Sequence, residues 1–292
     1  MPRNSTSIRL RNLAISLAIF AALVLYASTY SVPVLRASFI PDESPSVLRR
    51  KFKPLSEYLE KKTGMKIEFR PVSDGDALIE ALVSDKLDMV WLDGASFIRA
   101  KSRSNDQVMP LVQRAEDEDT RSVFITRHAD ITRLEDLKGR TFSFGAESSA
   151  SGHLMPGSFL RAAYVDPDTD MKRVSFSGAD EATVAAVAGG KADAGALDIA
   201  TWKRLVEQGK VDTRVVHVFY TTPGYHDHSW TVRADMDVNL RLKLIDAFLA
   251  LDRNNAQDKE ILDLQRATRF TPARAENYSA IEAAARLARA TP

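Results

Sequence analysis

The densest concentration of reactive and hydrogen-bonding side chains in the chain is Glu147-Ser148-Ser149-Ala150-Ser151-Gly152-His153. It follows the apolar run Phe142-Ser143-Phe144 and precedes an apolar stretch through Phe159, Leu160, Ala162 and Ala163. Strand, small-residue turn and helix start, in that order, aim hydroxyls and free backbone N–H groups at one point. The helix dipole adds partial positive charge there. Ser148, Ser149, Ser151, Gly152 and His153 therefore form a candidate anion site, against the plainer role of a serine that caps a helix.

Carboxylates make the second group. Asp93 and Asp198 each follow a strand-like run, and Asp180 precedes a helical run beginning near Glu181. Such positions line a cleft or cap a helix, and the residue type fits both. Trp91 stands two residues before Asp93, as cleft wall or as core, and Tyr225 is a candidate for the cleft mouth. His226-Asp227-His228 has ligand-like spacing on an extended segment, but no third ligand accompanies it, so no metal site is assigned. Ser151 and His153 are too close in sequence for a catalytic pair at a helix start, and no Gly-x-Ser-x-Gly elbow is present. No catalytic residue and no cofactor is expected.

These residues need a scaffold. Strand-like runs at 32–40, 65–71 and 87–92 alternate with helical patterns at 46–62 and 74–84, which implies parallel βαβ units. In such sheets ligands bind beyond the carboxyl ends of the strands, where the loops at Asp42-Glu43 and Asp93-Gly94 fall. A weak internal repeat supports two similar units. Ala77, Ala81 and Leu82 lead to Lys86, Asp88, Leu92 and Asp93; Ala182, Ala186 and Val187 lead at identical spacing to Lys191, Asp193, Leu197 and Asp198. Each copy reads as helix, turn, strand and a terminal aspartate.

Two α/β lobes are thus expected, with crossings near residues 122–127 and 226–232. The first lobe would hold residues 32–125 and 229–292, and the second 126–228. Two connecting strands make a hinge, and closure of a hinge over a cleft traps small ligands.

The chain of 292 residues is 45% hydrophobic and 27% charged with a net charge of +1, an ordinary globular balance with no basic stripe for nucleic acid. There is no cysteine, so disulfides, thiol chemistry and a lipidated-cysteine anchor are excluded. Arg3, Arg9 and Arg11 precede an apolar run from Leu13 to Ala27, the order of a secretory signal. At about 15 residues the run is short of the roughly 20 that a spanning helix needs. Residues 1–31 are read as a signal peptide, with an uncleaved membrane anchor as the alternative. Either way the remainder lies outside the cytoplasmic membrane, in the periplasm.

With these pieces in place the sequence resembles the periplasmic solute-binding proteins of phosphate, phosphite and phosphonate ABC importers. The resemblance runs from Ile40-Pro41-Asp42-Glu43 to Asn277-Tyr278. It is carried by Phe52-Lys53-Pro54-Leu55, Leu134-Glu135-Asp136-Leu137-Lys138-Gly139, the Ser148–His153 corner, Phe176-Ser177-Gly178 and Phe219-Tyr220-Thr221-Thr222-Pro223. It implies a two-lobed type II binding fold, a small oxyanion in the interlobe cleft, a membrane permease as partner and a monomeric state. The Trp91 region and the Thr221–Trp230 loop look most like a subgroup labelled as selenate binders. Two departures bear on the ligand: Ala150 stands where the family usually has a middle hydroxyl, and Asp180 where it usually has a histidine. The readings set beside this one are the same fold carrying an organic amine or vitamin precursor, and a membrane-tied sensory module.

Overall fold

The computed structural model describes residues 33–39 and 45–290. Residues 1–31, read from the sequence as a signal peptide or anchor, and the Asp42-Glu43 loop lie outside the described residues.

The described chain begins with one parallel unit. Strand β1 (Val34–Phe39) leads to helix α1 (Pro45–Thr63), which buries Leu48, Phe52, Leu55 and Leu59. The helix stops at Gly64, whose φ of 76° needs a residue without Cβ. Then come β2 (Lys66–Phe69), α2 (Gly75–Val83), β3 (Met89–Leu92) and α3 (Gly94–Arg103). β1 pairs in parallel with β2 on one side and β3 on the other. Strand β4 (Val108–Arg114) and a 3-10 turn over Ala115–Asp119 follow.

The chain then builds a second unit of the same design. Its strands are β5 (Ser122–Thr126), β6 (Thr141–Phe144), β7 (Arg173–Phe176), β8 (Ala194–Asp198) and β9 (His217–Thr221). Helices α4 (Met155–Ala162), α5 (Asp180–Ala188) and α6 (Ile199–Glu207) connect them. β10 (Ser229–Arg233) returns to the first sheet, followed by α7 (Val238–Leu249), α8 (Ala256–Leu264), β11 (Phe270–Pro272) and α9 (Ser279–Ala290). The sheet orders are β11-β4-β10-β3-β1-β2 and β7-β6-β8-β5-β9.

In both sheets the strand entering from the other lobe lies antiparallel beside the strand that ends in the repeated aspartate. Ser122 at the start of β5 stands opposite Asp198, and Ser229 at the start of β10 stands opposite Leu92. An antiparallel pair places the start of one strand at the end of the other. The crossing segments therefore run past the carboxyl ends of β3 and β8. β5 pairs wholly within the second sheet, so the first crossing lies at the 3-10 turn, before the expected boundary at residue 125. An apolar strand reads alike for either sheet, and the pairing with β8 and β9 decides between them.

Hydrophobic packing is not confined within the lobes. One cluster joins Phe97, Ile98, Tyr278 and Ile281 from the first lobe to Ala150 and Met155 from the second, with Tyr225 between them. The C-terminal helix α9 packs against both α4 and the corner that precedes it.

Candidate ligand-binding site

The two repeated aspartates have the same local job. Asp93 accepts the N–H of Ser96 at 2.6 Å and caps α3; Asp198 accepts the N–H of Thr201 at 2.9 Å and caps α6. Each cap uses one carboxylate oxygen, which leaves the second for another partner. Asp180 behaves differently. It is the first residue of α5 but does not cap it; its carboxylate instead accepts the N–H of Asp198 at 3.3 Å.

The serine corner is tighter than a simple helix start. Ala150–Leu154 forms a π-helical turn ahead of α4, capped by Ser149, whose Oγ accepts the N–H of Gly152 at 3.0 Å. The Gly152 N–H expected to face a ligand is thus consumed, as the N–H three residues past an N-cap serine commonly is. Ser149 keeps its own O–H to donate. Among the described residues, the N–H groups of Ala150 and Ser151 have no acceptor, and the hydroxyl of Ser151 has no partner. Ser148 is exposed. The ring of His153 is committed elsewhere: Nδ1 lies 2.7 Å from the carbonyl of Glu147, and the ring packs edge-on against Phe144 and Phe176.

Corner and carboxylates meet. A Cβ added at Gly152 would lie 3.2 Å from the Gly145 Cα and 3.3 Å from Asp180 Oδ1, so the glycine permits this approach. The N–H of Gly145 donates to the Gly152 carbonyl at 2.8 Å, which closes the corner. Ser122 Oγ donates to the Ser151 carbonyl at 2.7 Å and lies 2.8 Å from the hydroxyl of Tyr225. Tyr225 is buried and stands between the lobes, on the second crossing segment.

The first lobe supplies a charged network from residues far apart in sequence. Arg114 grips Asp117 with Nε and Nη2 at 2.6 and 2.7 Å. His228 Nδ1 lies 3.4 Å from both Asp117 and Asp227, and Asp227 accepts the N–H of Gly94 at 2.9 Å. The half-buried Trp91 ring stacks on the His228 imidazole at 5.7 Å and 15°, and the Arg114 guanidinium lies 5.1 Å from its centroid. His226 has other partners, Gln113 and Asn277. The two histidines of the motif therefore diverge, and among the described residues no group of side chains has the makings of a metal site.

Burial dominates the protonation of the cleft. It pushes the Asp180 carboxyl up to about 7, helped by the charge of Asp198. Asp198 is raised by burial and then by Asp227, and Asp93 likewise. Burial raises Asp117 too, but hydrogen bonds from Arg114 and His228 outweigh it and hold this carboxyl at about 2. Burial lowers His228, yet the carboxylates of Asp227 and Asp117 raise it well above the usual imidazole value. The cleft thus offers hydroxyl and N–H donors at one end and proton-holding carboxyls beside them.

Sequence reasoning singled out the serine corner, Trp91, the three aspartates and Tyr225 as candidates. It did not single out the network of Asp227 and His228, although their motif stood out, because their partners Arg114 and Asp117 lie more than a hundred residues away in sequence.

Comparison with known proteins follows the same line. Residues 37–278 match the family model described as the periplasmic substrate-binding protein of phosphonate ABC transporters. The chain is 32% identical over 261 residues to the probable ABC transporter phosphite binding protein PhnD1 of Prochlorococcus marinus, covering 85% of this chain and 88% of that one. It is 24% identical over 235 residues to the phosphonates-binding periplasmic protein of Escherichia coli, covering 78% and 69%. The structure of the Prochlorococcus PhnD1 with methylphosphonate superposes with a TM-score of 0.76 at 31% identity, over 89% of this chain and 99% of that one. No described helix is long and apolar enough to cross a membrane. The chain belongs to the periplasmic substrate-binding proteins of phosphonate ABC transporters.

Proposed function

We propose that this protein captures a phosphonate-type oxyanion, whether phosphonate, phosphite or phosphate, in the interlobe cleft and delivers it as a monomer to a membrane permease. The N-terminal segment serves as its export signal. The observation that carries this reading is the serine corner held against Asp180. Free hydroxyls and N–H groups there can donate to anionic oxygens, and the Asp180 carboxyl, pushed up to about 7, accepts from a ligand proton when ionised and donates its own when protonated. Ser149, Ser151 and the N–H groups of Ala150 and Ser151 would hold the oxygens, with Asp180 and Asp198 on the protonated one. Trp91 and Asp93 would line the opposite wall.

A thermal-shift panel of methylphosphonate, phosphite, phosphate, sulfate, selenate and simple amines tests it, since a tight ligand raises stability by RT ln(1+[L]/Kd). The phosphorus oxyanions should give the largest shifts. Shifts with amines alone would replace this reading with that of an organic-cation carrier of the same fold.

A further inference from the structure

The cleft sets Asp93, Asp180, Asp198 and Asp227 around the place where an anion is to bind. Uncompensated, that crowd of carboxylates would repel any ligand with residual negative charge. Arg114 does not offset it, because its guanidinium is engaged by Asp117 in two hydrogen bonds.

A histidine stands beside it. His228 has its Nδ1 edge tied to Asp117 and Asp227 and one face covered by Trp91. Even so, 31% of its side-chain surface is accessible. Nε2 lies on the ring edge opposite Nδ1 and has no partner among the described residues. The ring also acts electrostatically on both helix caps, Asp93 of its own lobe and Asp198 of the other.

We propose that His228 contacts the ligand, presenting Nε2–H to an anionic oxygen from the side opposite the serine corner, and that the Arg114–Asp117 pair positions it. The inference rests on the oxyanion reading above. Two carboxylates on Nδ1 keep that nitrogen protonated and favour the fully protonated ring, so that Nε2 is a donor as well. Stacking on Trp91 fixes the plane of the ring. The charged groups that face the imidazole are Asp117 and Arg114 beside the first crossing, Asp227 on its own segment, Asp93 at the start of α3 and Asp198 at the start of α6. A cationic donor in this place gives the cleft both signs. It suits a ligand with an anionic oxygen on one side and a proton on the other.

Calorimetry with methylphosphonate tests the proposal. His228→Gln should weaken binding at pH 7 at least about tenfold, the scale of a lost charge-assisted hydrogen bond. If the His228→Gln variant binds methylphosphonate within about twofold of wild type while the Ser149→Ala, Ser151→Ala variant loses affinity, the proposal is overturned and the oxyanion reading stands. If the wild-type protein binds neither methylphosphonate, phosphite nor phosphate, both fall together.

A measurement on the wild-type protein covers the case in which the variant misfolds. In protein labelled with ¹⁵N-histidine, the Nε2 resonance of His228 should move when methylphosphonate is added, with Nε2–H protected from exchange. An unmoved resonance at saturation overturns the proposal.

Discussion

The backbone N–H of Asp198 points at the carboxylate of Asp180, 3.3 Å away, so the residue that caps α6 also steadies the first residue of α5. Two acidic side chains are thereby held together at one end of the cleft, where burial raises both. That placement makes the fold sensitive to pH.

Asp180 has its carboxyl pushed up to about 7, against about 3.8 for an ordinary one. A raised carboxyl favours the folded state while protonated, so its contribution is full below about pH 4 and is lost as pH rises through about 7. Asp180→Asn stays neutral throughout. The variant should gain stability over wild type between pH 4 and pH 8, by on the order of 2–4 kcal/mol at the upper end. Urea titrations across that range measure it, and a difference that does not change with pH would show that the carboxyl is not strained by burial.

At the serine corner, the Ser149→Ala, Ser151→Ala variant removes two donors to the ligand. Hydrogen bonds to charged groups are worth about 1.5–3 kcal/mol each, so affinity for methylphosphonate should fall at least about a hundredfold. Ser149 is also a helix cap, and its loss should lower stability by about 1 kcal/mol without unfolding the protein. Calorimetry beside a melting curve separates the two effects; unchanged affinity would place the ligand elsewhere.

Competition at pH 7 addresses the carboxylates. An ionised aspartate needs a ligand proton opposite it. Phosphate-type groups, with a second pKa near 6, can supply one near neutral pH, whereas sulfate and selenate are fully ionised. Sites built around such a proton reject analogues lacking it by up to about 10⁴–10⁵. Phosphonate or phosphite should therefore displace selenate. Selenate winning against every phosphorus ligand would mean that Asp93, Asp180 and Asp198 act only within the protein.

Lobe motion has its own readout. Ligand binding should compact the particle in small-angle scattering, because the chain passes between sheets at two places. Identical profiles with and without a ligand that raises the melting temperature would indicate lobes that keep one spacing.

Much of this architecture was legible in the sequence because it is local. The repeat from Ala77 to Asp93 and from Ala182 to Asp198 fixed helix, turn, strand and cap in both lobes, each governed by residues a few positions apart. The extra width of the turn at Ala150–Leu154 was not legible, since nothing in Ser-Ala-Ser-Gly-His distinguishes it from an ordinary helix start. Nor was the network on His228. Its motif is visible, but its meaning depends on Trp91, Arg114 and Asp117, which only the fold brings beside it. The membership of β5 was hidden for the same reason.

Thr120 and Tyr225 exchange backbone hydrogen bonds in both directions at 2.9 Å, and two residues along, Asp227 donates to the Asp117 carbonyl at 3.0 Å. Segments paired in this way cannot slide past one another, so any change of angle between the lobes has to bend both crossings together.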